Sequence, residues 1–356
     1  MPPLPSPSLH YPLDALNYRR RCTCSVSIGS IPLGSEYPLR IQTMANVSTP
    51  DTEAGIAQTE RVALAGADYM RFTAQGVREA ECLKTIRAAL NEKGYTIPLV
   101  ADIHFNPQAA YEALKHVEKV RNFVDWLAQY SGDLVHNPWG EVNPDLEIVA
   151  DGFDAARVRQ DNLVAYLLPR LGRAKVFVVA EAVGYQGGRF SGIAITCERM
   201  LLDKHKTIRA KDVTPIRLDR TSSPASTLLK ETQKKDGFNE PTDTVVWSAI
   251  VEKGIDPYDT LLWNIFPFHP HKEGNPLTNR TPTEIEQELG WEYTKRLLEL
   301  HRELGGDEPL MLAVGQKSAD TMGKFGLSAI GLRHPANGGA NLYRQGFSEA
   351  VDTYLK

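Results

Sequence analysis

The chain has 356 residues, 42% hydrophobic and 24% charged, with a formal net charge of −4. That composition excludes a disordered or fibrous chain and gives enough length for two domains. Residues 1–121 hold 13 Lys and Arg against 12 Asp and Glu, and residues 122–356 hold 27 against 32, so neither half has the basic excess of a dedicated nucleic-acid binder.

In chain order, "YPLRIQTM" (37–44) reads as a strand, followed by a helix over "TPDTEAGIAQTERVALAGA" with Ser48, Thr49 or Asp51 as cap. "DYMRFTA" (68–74) is the next strand, with a helix over "REAECLKTIRAALNEKG"; "IPLVADIHF" (97–105) is the third, with a helix through "PQAAYEALKHV". Three βα units with short connections predict a parallel sheet or a barrel segment. Polar residues gather where the strands end: Gln42 and Asn46, Arg71 and Thr73, Asp102 and His104. In βα-barrels that end carries the chemistry.

"PLRIQTMANVSTPDTEAGIAQ", "AGADYMRFTAQG" and "IPLVADIHFNPQAAYEALKHVEKVR" resemble the N-terminal part of the 4-hydroxy-3-methylbut-2-en-1-yl diphosphate synthase family, over residues 18–121. The resemblance implies an eight-stranded barrel followed by a small domain whose three cysteines hold a [4Fe–4S] cluster. It also implies that Arg71, Asp102 and His104 face a diphosphate substrate. Only three strands of such a barrel are expected here, and Cys22 and Cys24 precede the first of them. A three-strand fragment leaves an unpaired edge and an uncovered apolar face, so it is expected to dock on another chain, to pair with another copy or to fold poorly, without turnover.

After Arg121 the pattern changes. "NFVDWLAQYSGDLVHNPWG" starts a new helix with aromatic anchors, and "RVRQDNLVAYLLPRLG" is amphipathic up to Gly172. Four buried strands follow, within "AKVFVVAEAVG", "DTLLWNIFPFHP", "EPLMLAVGQKSADTM" and "GLSAIGLRHPANGG". They predict one three-layer α/β/α domain with a four-stranded parallel sheet, and three loops at the strand ends: "AEAVGYQGGRFSG", "NIFPFHPHKEGNPLTNR" and "RHPANGGANLYR". In open parallel sheets ligands bind beyond those ends.

Taken together, "AEAVG" (180–184), "NIFPFHPHKEGNPLTNRTPT" (264–283) and "RHPANGG" (333–339) resemble the motifs of the uracil-DNA glycosylase superfamily over residues 123–350. The resemblance implies that Asn264 reads the edge of an extruded uracil in DNA, that His334 stabilises the departing base, and that Glu181 positions the attacking water. Tyr185 would reject a C5 methyl, Leu342 or Tyr343 would wedge into the duplex, and Arg333 or Arg344 would hold phosphate. Asn279 and Arg280 would brace the second loop. Ala180 and Val183 replace the usual Gly and Pro of the first motif. Ile195 stands where many members have a stacking Phe, which leaves the π-face to Phe190 or Phe266. A bland reading stands beside each of these: an ion pair to Arg189 or Arg280 for Glu181, a loop cap for Asn264, a satisfied imidazole for His334.

The expected protein is therefore a fusion, residues 1–121 an incomplete βα-barrel fragment and residues 122–356 a glycosylase-like domain that excises uracil from DNA. No cofactor and no metal are expected; His269 and His271 lack a third ligand at useful spacing. The four cysteines make no disulfide framework, which points to the cytoplasm. No apolar run reaches the roughly 18 residues that span a bilayer, and the Pro-rich start does not have the order of a secretory signal. The rival readings are the isoprenoid synthase named by the first half and a non-catalytic module that binds DNA or a nucleobase.

Overall fold

The computed structural model describes residue 23 and residues 26–28, 31–103 and 119–355. The chain divides into two compact units, Met1–Ala109 and Ala110–Lys356, where the sequence reading puts the junction at 121/122.

In the first unit, β1 (Val26–Ile28) and β2 (Ile31–Leu33) form a short antiparallel pair. Then β3 (Gln42–Met44), α1 (Thr52–Leu64), β4 (Tyr69–Thr73), α2 (Val77–Glu92) and β5 (Leu99–Asp102) build a parallel sheet in the order β3-β4-β5. Parallel neighbours need a crossover, and each helix supplies one. The Asp51 carboxylate caps α1 by accepting from the Ala54 amide. The strand expected over 37–44 pairs only from Gln42 onward, and just before it the Ile41 amide donates to the Asp68 carboxylate instead of to a neighbouring strand.

Side chains alternate across a strand, which sorts this sheet into two different faces. Met70 and Phe72 are fully buried against Ile86 and Leu90 of α2. Gly55 lets α1 approach the same face, since a Cβ there would crowd Ile86 and Phe72 at 3.1 and 3.2 Å. The opposite face carries Tyr69, Arg71 and Thr73, with Val100 and Asp102 beside Arg71 and Thr73 in register. That face is free of α1 and α2, and it is polar toward the strand ends.

The second unit opens with α3 (119–128) and β6 (Val135–His136), followed by α4 (Ala155–Leu167) and β7 (Val176–Ala182). Next come α5 (Pro241–Lys253), β8 (Thr260–Phe266), β9 (His269–Pro270) and α6 (Glu284–Glu303). The unit closes with β10 (Leu310–Val314), α7 (Gln316–Lys324), β11 (Ile330–Leu332) and α8 (Ala340–Tyr354). The four strands expected from the sequence form one parallel sheet in the order β11-β10-β7-β8, and β6 pairs antiparallel with β9.

Helix α6 starts at Thr283 with a reciprocal capping box to Glu286, the reason "TPTE" stops the loop there. It lies on the sheet through His301, whose ring is 5.0 Å from that of Phe177, and through Thr294, whose Oγ1 accepts from Trp263 Nε1 at 3.2 Å. Arg170, fully buried after α4, ties several segments together. Its nitrogens donate to the carbonyls of Thr260, Tyr166, Val213 and Asp212, and the guanidinium lies 4.0 Å from the Tyr166 ring centre. No helix among the described residues is long and apolar enough to cross a membrane.

At Gly290 a Cβ would run into the Ile265 carbonyl oxygen, so Gly290→Ala must lift α6 off β8. The expected loss in urea unfolding, followed by tryptophan fluorescence, is about 1–3 kcal/mol. Gly323→Ala, where a Cβ meets nothing within 4 Å, should instead leave stability unchanged or raise it by about 0.5–1 kcal/mol. Equal stability of Gly290→Ala and the parent would contradict the close helix–strand contact.

Candidate functional site

The strand ends of the first unit converge on Arg71 and Asp102. Arg71 Nη2 lies 2.5 Å from Asp102 Oδ2 on the helix-free face, with the carboxylate largely buried and the guanidinium about one-third exposed. The surrounding backbone is laced in place. Thr49 Oγ1 donates to the Thr73 carbonyl at 2.6 Å, the Ala74 amide donates to the Asp102 carbonyl, and Gln58 Oε1 accepts from the Asn46 amide. A guanidinium fixed in this way is suited to a two-point grip on phosphate or carboxylate. His104 lies outside the described residues.

In the second unit, Asn264 lies on β8 opposite Ala180 of β7, almost fully buried, and its Oδ1 has no hydrogen-bond partner among the described residues. A buried amide oxygen left open is costly unless a ligand N–H fills it. Glu181 is half-buried; desolvation pushes its carboxyl above the usual range, opposed by Lys317. Neither arginine weighed for it reaches it: Arg189 Nη1 lies 3.4 Å from Glu147, and Arg280 grips both oxygens of Glu286 at 2.7 and 2.6 Å. Asn279 Oδ1 accepts from the Tyr185 amide at 3.0 Å, so the second loop holds the first. Ile195 is buried with a positive φ of 50°, and its carbonyl accepts from Trp247 Nε1. His334 Nδ1 accepts from the Ala336 amide at 3.1 Å; burial, and then Arg333, lower its pKa, so the proton of the neutral ring sits on Nε2.

Several expected roles are corrected by these positions. Tyr343 is fully buried beside Phe347 and belongs to the core, so it is not a wedge. Arg344 Nε lies 3.3 Å from Glu252 rather than standing ready for phosphate, while Leu342 and Arg333 are exposed. Phe190 is fully buried with its ring stacked 4.2 Å from Phe238 and the Arg189 guanidinium 4.3 Å from its centre. Phe266 is enclosed by Tyr130 and Phe268. Neither ring offers a face to a base. The spacing of Tyr343, Phe347 and Val351 carried the signal of a buried helix stripe, which the motif reading overrode. The buried ion cluster of Glu147, Arg159 and Arg189 has no signature in the sequence, because its members come from separate segments.

The [4Fe–4S] cluster that the first resemblance implies does not fit the described residues. Their cysteines, Cys82 and Cys197, lie in different units, and no group of three or more His, Cys, Asp or Glu there could hold a metal. Cys22 and Cys24 lie outside the described residues.

Residues 23–123 match the family model of the GcpE TIM-barrel domain. Over 117 residues the chain is 61% identical to a 4-hydroxy-3-methylbut-2-en-1-yl diphosphate synthase (flavodoxin) of Porphyromonas gingivalis, covering 32% of this chain and 20% of the relative. The corresponding protein of Parabacteroides distasonis is 59% identical over 119 residues, with the same shares covered. A chloroplastic, ferredoxin-type synthase of Oryza sativa subsp. japonica is 42% identical over 132 residues, 36% of this chain and 18% of the relative. The chain spans about a fifth of the length of the curated relatives it matches. These matches overturn the expected uracil excision and DNA repair: the matched model is a GcpE TIM-barrel domain and these relatives are named as diphosphate synthases, none of them as a glycosylase.

The second loop also carries a pH signature. His269 Nε2 pairs with the Thr278 carbonyl at 2.8 Å, and burial, with Arg189 adding, drives its pKa from 6.5 to about 3. Burial likewise lowers His136 well below 6.5. A depressed folded-state pKa gives stability that is full above the unfolded value and falls with pH down to the folded one. The urea midpoint of the second unit should therefore drop between pH 7 and pH 5, with a smaller slope in His269→Gln, whose amide can keep the bond to Thr278. A flat midpoint over that window would contradict the buried neutral imidazoles.

Proposed function

We propose that the chain serves isoprenoid biosynthesis through residues 23–123, which act as the opening βα units of a synthase-type barrel and hold a diphosphate group at Arg71. The observation that carries this reading is the position of Arg71, on the helix-free face and near the C-terminal end of β4, fixed by Asp102 at 2.5 Å. The helix-free face of such a sheet is the one that turns inward in a βα-barrel, and the C-terminal strand ends are where barrel ligands sit. The identity of 61% with a synthase named for a diphosphate product supports the same ligand class. The role assigned to these residues is to bind and orient; no electron-transfer step is assigned to them.

A barrel needs more strands than β3, β4 and β5. No strand among the described residues pairs with the outer edge of β3 or β5, and Leu39 and Ile41 before β3 and Met44 at its end are exposed. We propose that strands of another chain complete this sheet, since an open apolar edge invites pairing.

Calorimetric titration of the purified chain with 4-hydroxy-3-methylbut-2-en-1-yl diphosphate tests the assignment. Saturable binding is expected, weakened roughly tenfold or more in Arg71→Ala, the scale of one charge-assisted pair. Absence of binding by the parent chain, or equal binding by Arg71→Ala, would show the assignment to be wrong.

A further inference from the structure

A second charged site lies in the other unit, where Arg189 of the first strand-end loop and His271 and Asn275 of the second border one pocket. A pocket of about 530 Å³ is bordered by His136, Glu141, Asn143, Arg189, His271 and Asn275 among other residues. Arg189 is wholly buried, and its Nε, Nη1 and Nη2 all lack a hydrogen-bond partner among the described residues. A guanidinium carries five N–H donors, and buried donors left unfilled are expensive.

The neighbouring charges do not meet that need. Glu147, also fully buried, is shared: its Oε2 lies 2.9 Å from Arg159 Nη1, and its Oε1 lies 3.4 Å from Arg189 Nη1. Arg159 is also served by the carbonyls of Pro138 and Glu141 and by Thr221 Oγ1. The other buried carboxylate nearby, Glu198, is occupied by the amides of Thr221, Ser222 and Phe238 and by Ser222 Oγ. Two buried guanidiniums thus compete for Glu147, and Arg189 makes only the longer contact. His136 Nε2 beside them is also unpartnered, 3.6 Å from Glu147 Oε1.

We propose that this pocket is a binding site for a small molecule bearing an oxyanion group, phosphate or carboxylate, which Arg189 receives. The fork of Arg189 matches either group in two parallel hydrogen bonds. His136 Nε2 lies beside the fork, and the amides of Asn143 and Asn275 stand on the pocket wall as neutral hydrogen-bonding groups. Glu141 and Asp145 on the same wall disfavour highly charged ligands, so the site selects a compact anion that also carries donors. The volume exceeds what a bare phosphate fills, which fits a phosphorylated or carboxylated small molecule.

The test is titration of the full chain with inorganic phosphate and, separately, with acetate at matched ionic strength, read by calorimetry and by the shift in Tm. Saturable binding of at least one anion is expected, and which one binds identifies the group. The titrations are run in an Arg71→Ala background, which removes the diphosphate site proposed above, and binding there should be lost on adding Arg189→Met. Because Arg189 is buried, Asn275→Asp provides the second arm. It keeps the acceptor used by the Leu277 amide, adds a negative charge to the pocket wall, and should weaken binding at least tenfold. The proposal is overturned if neither anion binds saturably, if a folded Arg189→Met binds like the parent, or if Asn275→Asp leaves the affinity unchanged.

Discussion

A parallel strand has two faces, and both must be covered or put to use. The two units meet that constraint differently. Strand β8 is buried along its whole length, every residue from Thr260 to Phe266, with α6 lying against it. Strand β4 alternates instead: Met70 and Phe72 sit under the helices, while Arg71 and Thr73 are only partly covered. The face that the helices leave free is the one with Arg71 and Asp102. The assignment of a ligand to the first unit follows from the polar end of that face, since at its other end Tyr69 is buried and its hydroxyl donates to the Ile31 carbonyl.

The same strands show how far the sequence could be read. "YMRFT" announces its alternation, and "LLWNIF" announces a strand buried on both sides; both are found in those roles. The "TPTE" cap and the four strands of the second sheet follow from local patterns as well. Where local pattern and motif disagreed, the motif misled. Tyr343 sits in a buried helical stripe and not in a DNA-facing loop. Both sides of the Phe190 ring are occupied, by Phe238 and Arg189, where the motif predicts a free face. Gly-rich loops with polar side chains at parallel strand ends belong to the architecture and recur across many chemistries, so they could not by themselves fix the activity. The long match at the N-terminal region, with close identity across whole βα units, is the more specific signal.

What no local reading could reach is the pairing of buried charges. Arg170 and Arg189 are both fully buried, and sequence does not tell them apart. Arg170 finds four backbone carbonyls and an aromatic ring, a satisfied arrangement that knits strand β8 to α4 and the 210–213 turn. Arg189 finds one shared carboxylate and the Phe190 ring, but its nitrogens have no hydrogen-bond partner among the described residues. Burial of an ion is tolerable when its donors are met and costly when they are not. The first arginine is therefore structural, and the second is left with capacity that a ligand can use.

Amide hydrogen exchange with and without 4-hydroxy-3-methylbut-2-en-1-yl diphosphate would test most directly whether the open face of the first sheet is a ligand face. Slower exchange confined to the ends of β3 and β4 and the loops that follow them, around Ala45–Asn46 and Ala74–Gly76, is the result this structure predicts. Unchanged exchange there, or protection appearing only in residues 176–182 and 260–266, would contradict it.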